Sequence, residues 1–127
     1  MDEKEIKDIM EKVNRFLSRQ LWMDFDIIEY SKQSLKIIGS IDISALPVME
    51  LIFEDVFFAS TVFNWTTDTR KTVISLLEGK DAKAVNMKYR VEQGYHIIKI
   101  APEDYPEEFG CIFGVKKIYF NLLHPEK

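Results

Sequence analysis

The sequence predicts a single α+β domain over residues 1–127, in which an N-terminal amphipathic helix packs on a curved or two-layer antiparallel β-sheet of about seven strands. Three observations carry that prediction. One helical apolar stripe opens the chain, period-two segments rich in β-branched residues fill most of the remainder, and short polar or Pro-bearing breaks separate them. A doubly wound parallel sheet needs a helix between successive strands, and no helical pattern stands there. With 127 residues, 46% hydrophobic and 30% charged, the composition is globular and excludes disordered and collagen-like classes. Nine Phe, five Tyr and two Trp supply a core that needs no disulfide or structural metal.

Residues 3–19 place Ile6, Ile9, Met10, Val13, Phe16 and Leu17 at helical spacing with charged residues between them, and Asp2 with Glu5 forms a capping-box pattern. From Phe25 the period changes to two. Residues 25–30 and 35–41, divided by the polar stretch 31–34, read as a β-hairpin. Pro47 closes the next loop and opens a strand over 48–58, where Leu51, Phe53 and Phe57 alternate with Glu50 and Glu54. Val56 and Phe58 fall out of phase, so a bulge or two-sided burial is expected near Asp55.

Residues 60–72 carry no period and read as an irregular connection pinned to the body by Phe63 and Trp65. A strand over 73–77 follows. Val85, Met87, Tyr89 and Val91 then alternate with polar residues, and Glu92-Gln93-Gly94 turns that run into 95–100, a second expected hairpin. The acidic segment 101–110, with Pro102 and Pro106 blocking regular structure, precedes a last strand over 111–123.

Seventeen Lys and Arg against twenty-one Asp and Glu leave a formal charge of −4, which repels polyanions and excludes nucleic acid as the expected partner. Only Arg15, Arg19, Arg70 and Arg90 offer a bidentate fork. An odd thiol, Cys111, is at home in a reducing compartment, and the charged first twenty residues carry no export signal, so a cytoplasmic location is expected. The longest apolar run, residues 56–59, is far too short to span a membrane.

Catalytic spacings are missing. His96 sits mid-strand on an expected half-exposed face, and His124 lies in a solvated tail. Neither histidine has the neighbours that a zinc site requires, and no glycine belongs to a phosphate-cradling loop, so no metal or cofactor is expected. Cys111 reads as a small buried hydrophobe. Asp24, Asp26, Asp42, Glu54, Asp55 and Asp68 fall at strand ends or loops, where carboxylates ordinarily solvate the rim of a sheet. Convergence of several would instead make an acid/base pair or a cation site.

Aromatic residues near loops are the one excess. Tyr105 and Phe109 flank the acids Glu103, Asp104, Glu107 and Glu108, and Trp65 sits in the irregular 60–72 connection. Aromatic anchors with an acidic rim suit the docking of a basic protein, so Tyr105, Glu107, Glu108, Phe109 and Trp65 are the candidate partner-binding residues. Two other readings stand beside this one. The first is a small-molecule-binding domain or enzyme whose curved sheet encloses a pocket lined by Phe53, Phe57, Met87 and Tyr89. The second is a homodimer formed through an unprotected edge such as the last strand.

The order helix, then residues 22–29 with Trp22-Met23-Asp24-Phe25, then a strand pair, then Ile52-Phe53-Glu54-Asp55-Val56, resembles small bacterial α+β families that include immunity proteins of polymorphic toxin systems. Those families typically carry Phe-His-Asp at the start of the first strand; this chain has Phe25-Asp26-Ile27, so a role resting on that histidine does not carry over. The resemblance implies a non-enzymatic antidote or adaptor that works by binding a protein, a basic toxin domain being the partner, with no catalytic residue to transfer.

Overall fold

The computed structural model describes residues 1–42 and 46–123. His124 of the expected tail therefore lies outside the described residues. The first element, α1 (Glu3–Leu17), starts at Asp2, whose carboxylate accepts from the Glu5 N–H at 2.8 Å while the Glu5 side chain accepts from the Asp2 N–H at 3.0 Å. This reciprocal cap satisfies two helix-end donors and contributes about 1 kcal/mol. Ile6, Met10, Val13 and Leu17 form its buried stripe, each such side chain contributing roughly 1.5–3 kcal/mol.

β1 (Met23–Ser31) and β2 (Ser34–Ser40) form the expected hairpin. Lys32 and Gln33 both take positive φ, the pattern of the tight turn that matches strand twist. β3 (Met49–Glu54) follows on β2, and β4 (Phe58–Ser60) and β5 (Asn64–Thr67) come next. Then β6 (Ile74–Leu76) leads into α2 (Gly79–Tyr89), followed by β7 (His96–Ile100), β8 (Cys111–Val115) and β9 (Lys117–Leu122). All pairings are antiparallel, in a five-stranded sheet of order β5-β1-β2-β3-β9 and a four-stranded sheet of order β4-β8-β7-β6.

Among the described residues, nine strands in two sheets thus replace the expected sheet of about seven. Three local differences account for this. The 60–72 connection contains β5, whose Trp65 and Thr67 point inward from a polar-looking run. Residues 85–89, read as a strand, belong to helix α2, so β6 and β7 are joined through a helix and the second hairpin does not form. The last strand is two strands lying in different sheets.

The out-of-phase signal near Asp55 marks a corner. Asp55 takes φ +55, the chain leaves β3 for β4, and the neighbouring strand makes the same passage from β8 to β9 at Lys116. The Lys116 N–H donates to the Glu54 carbonyl at 3.2 Å and the Phe57 N–H to the Gly114 carbonyl at 2.8 Å, so pairing continues around the bend. Strands that switch sheets through such bends make the corners of folded-over sheets. Phe53 and Phe113 meet inside, their rings 4.9 Å apart, and join the two layers.

α1 closes another side. It packs against β6 and β9, each at the edge of its sheet, with Phe16 and Phe120 6.0 Å apart. Asn14 completes the seal by standing in for an absent strand. Its Oδ1 accepts from the Val73 and Ile74 N–H groups, both at 3.0 Å, and its Nδ2 donates to the Ile74 carbonyl at 2.9 Å. α2 buries none of its side chains and leans on the body through Tyr89, which stacks on Phe58 at 4.3 Å.

Candidate docking site

The acidic segment 101–110 is irregular, as its prolines require, yet tied down at several points. Thr67 Oγ1 donates to the Ala101 carbonyl at 2.6 Å, the Ala101 N–H to the Val73 carbonyl at 2.9 Å and the Glu103 N–H to the Thr66 carbonyl at 2.7 Å. The last of these lays the loop along the free edge of β5. Asp104 takes φ +65, and the Phe109 N–H closes a turn onto the Pro106 carbonyl at 2.9 Å. Tyr105 and Phe109 stack with centroids 4.6 Å apart and planes 19° apart. Phe109 packs against the core while Tyr105 stands 42% exposed, so one ring roots the pair and the other presents it. Glu103, Asp104, Glu107 and Glu108 are exposed around it.

Four of the five candidate residues therefore share one loop, with Tyr105, Glu107 and Glu108 exposed and Phe109 half-buried against the core. Trp65 does not join them. It is buried in the core against Phe25, with rings 5.6 Å apart, and among the described residues its indole N–H has no hydrogen-bond partner. The inward face of β5 claims it because Trp65 sits opposite Phe25 in the β1–β5 register.

Beside the loop runs an open groove of about 620 Å³, floored by Arg70, Lys71 and Lys99 and walled by Tyr105, Glu107 and Phe109. Arg70 is already engaged: its Nε and Nη2 donate to the two oxygens of Asp68 at 3.0 and 3.2 Å. That guanidinium holds the Asp68 carboxyl below the usual range, and Asp68 in turn raises Arg70. The groove continues past Glu103 and Arg70 to Leu21 and Trp22, which are exposed where α1 gives way to β1. Sequence reasoning does not include this pair among the candidate partner-binding residues. The signal was present, because the helical stripe ends at Leu17 and two large apolar residues follow with no period to bury them.

The remaining sequence candidates disperse. Phe53 lies in the core, Phe57 rests on Tyr95 with centroids 5.1 Å apart, Met87 is exposed on α2 and Tyr89 lies on Phe58, so these four do not line one cavity. Of the carboxylates, Asp24 and Asp26 lie together at one end of the outer face of the five-stranded sheet, where the Thr66 hydroxyl donates to Asp24 at 2.6 Å, and Glu54 stands on the same face further along β3. Among the described residues no group of three or more His, Cys, Asp or Glu is placed to hold a metal ion. His96 is half-buried, its Nε2 2.9 Å from the Met1 carbonyl oxygen, which makes that nitrogen the donor. β9, the edge expected to pair copies of the chain, has α1 packed against it. No described helix is long and apolar enough to cross a membrane. No family model, curated protein or solved structure matches this chain.

Proposed function

We propose that this chain is a non-enzymatic bacterial protein-binding module that docks a basic partner through the 101–110 loop and its groove, with toxin neutralisation as its role. The single observation that supports this reading is the loop itself. A stacked Tyr105–Phe109 pair rooted in the core and ringed by four exposed carboxylates combines a rigid aromatic anchor with a charged rim. Anchors of that kind dominate interface energetics, and complementary rim charge accelerates encounter. The buried, unpaired Cys111 fits the cytoplasmic location such an antidote needs.

The test is a paired capture from lysate of the native cell. The wild-type chain should retain a stoichiometric basic protein, and Tyr105→Ala/Phe109→Ala/Glu107→Lys/Glu108→Lys should lose it by ~100-fold or more while keeping the wild-type circular dichroism spectrum, since a central aromatic anchor alone is worth about 2 kcal/mol. Equal retention by both chains would remove the loop from the interface. Recovery of an acidic partner would overturn the reading of its charge.

A further inference from the structure

The outer face of the five-stranded sheet carries a second feature of the same kind. Register fixes its composition, because residues paired across antiparallel strands share a face. One row runs Asn64, Asp26, Ile38, Glu50, Asn121, and the next runs Glu29, Lys36, Ile52, Tyr119. Thr66, Asp24 and Ser40 lie beyond the first row, and Glu54 with Lys117 beyond the second. The opposite face of the sheet is core, whereas these residues are half-buried or exposed, and no described helix or strand packs over them. Ile38 and Ile52 lie on the inner strands β2 and β3, Tyr119 extends their row onto the edge strand β9, and charged residues flank them. The face dips at one end into a cleft of about 580 Å³ lined by Asp24, Asp26, Ile38, Ser40, Pro47 and Thr66.

We infer that this face is a docking surface for a protein that presents Lys and Arg side chains around an apolar centre. Charge decides the occupant. Five carboxylates (Asp24, Asp26, Glu29, Glu50, Glu54) stand against two lysines (Lys36, Lys117), so the face holds three of the chain's formal excess of four negative charges. Lys36 reaches Glu50 at 3.8 Å, while no described Lys or Arg lies within ion-pair distance of Asp24, Asp26 or Glu29. A second copy would oppose these acids with its own, and nucleic acid would be repelled. Size points the same way. Five strands about 4.8 Å apart expose on the order of 500 Å², short of the ~800 Å² that one side of a stable interface buries. The cleft shares Asp24 and Thr66 with the groove that runs past Glu103 toward Tyr105, so the sheet face and the loop border one continuous stretch of surface larger than the face alone. The inference thus rests on the reading of the chain as a binder of a basic protein.

The probe is a ten-residue peptide of alternating Arg and Leu, with an alternating Glu and Leu peptide as control, each titrated into the isotopically labelled full chain while backbone amide shifts are followed. The expected result is saturable shifts in β1, β2, β3 and β9 with the Arg peptide alone. Asp24→Asn/Asp26→Asn/Glu29→Gln should weaken binding ~tenfold, and 0.5 M salt should weaken it similarly, because charge-driven contacts are screened. The shift map on the wild-type chain needs no variant to fold. Shifts confined to 101–110 would overturn this inference and leave the loop reading standing; shifts in the sheet with none in the loop would uphold it and count against the loop. Equal response to the Glu peptide, no response to either, or burial of the face in a dimer detected by light scattering would each overturn it.

Discussion

Replacing Asn14 with leucine would leave two N–H groups and one carbonyl of the β6 edge facing an apolar side chain. Buried backbone groups without partners cost about 1–3 kcal/mol apiece, and relaxation recovers part of it, so Asn14→Leu should lower stability by roughly 2–4 kcal/mol in urea denaturation. Asn14→Asp keeps the acceptor for both N–H groups and should lose less. Equal losses for the two variants would place the effect in helix packing instead of edge capping. A single amide side chain does this because its oxygen and nitrogen reproduce the acceptor and donor of a peptide unit. Nothing in the sequence marks the role. Asn14 sits on a helix among charged residues and reads as one more solvated position.

α2 shows at the scale of an element what the sequence conceals and why. Its half-buried positions are Ala82, Val85, Asn86 and Tyr89, a helical spacing, yet Val85, Met87, Tyr89 and Val91 also alternate, and the alternation is the more regular of the two patterns. Asp81 in the first turn, Lys88 in the last and two alanines favour the helix, but no apolar stripe confirms it because α2 buries nothing fully. The hairpin of β1 and β2 and helix α1 were legible because each has one face in the core, so period and burial agree. The β8 to β9 break was legible too, though missed. Inward residues are Cys111, Phe113 and Val115, then Ile118, so the phase slips by one at Lys116. A helix anchored this lightly should open before the sheets do. A Cβ on Gly114 would lie 2.7 Å from the Phe58 ring that supports Tyr89, so Gly114→Ala should displace that stack. In hydrogen exchange, α2 amides should then lose about tenfold in protection while β7 keeps its own, in line with the ~1–3 kcal/mol cost of overpacking. A uniform loss across α2 and β7 would show that α2 belongs to the same cooperative unit.

For the whole molecule the decisive feature is the corner at Asp55 and Lys116, where two adjacent strands each serve both sheets. Neither sheet can come apart without dismantling the other, so unfolding should be one transition. Two probes report on it separately. Trp65 fluorescence reads the five-stranded sheet, and reaction of the Cys111 thiol reads the four-stranded one. Burial pushes that thiol up, against weaker opposing contacts with Thr61 and Val62, which keeps it unreactive while β8 is folded. Urea midpoints from the two probes should coincide within error; separate midpoints would mean that the layers are independent. The candidate loop was readable because acids, prolines and aromatics announce an irregular exposed segment. The sheet face was not, because it is assembled from five strands whose pairing no local pattern reveals.

The corner also has a consequence for how the protein is made. β8 is the strand that joins β4 to β7, and among the described residues β3 pairs with β2 on one side and β9 on the other. Both emerge from the ribosome after everything they pair with. Until they do, β3, β4 and β7 present open edges, the state in which chains recruit stray strands. The two sheets therefore close only once β8 and β9 have been made, and their exposure to aggregation and to chaperones is set by the wait for those two strands.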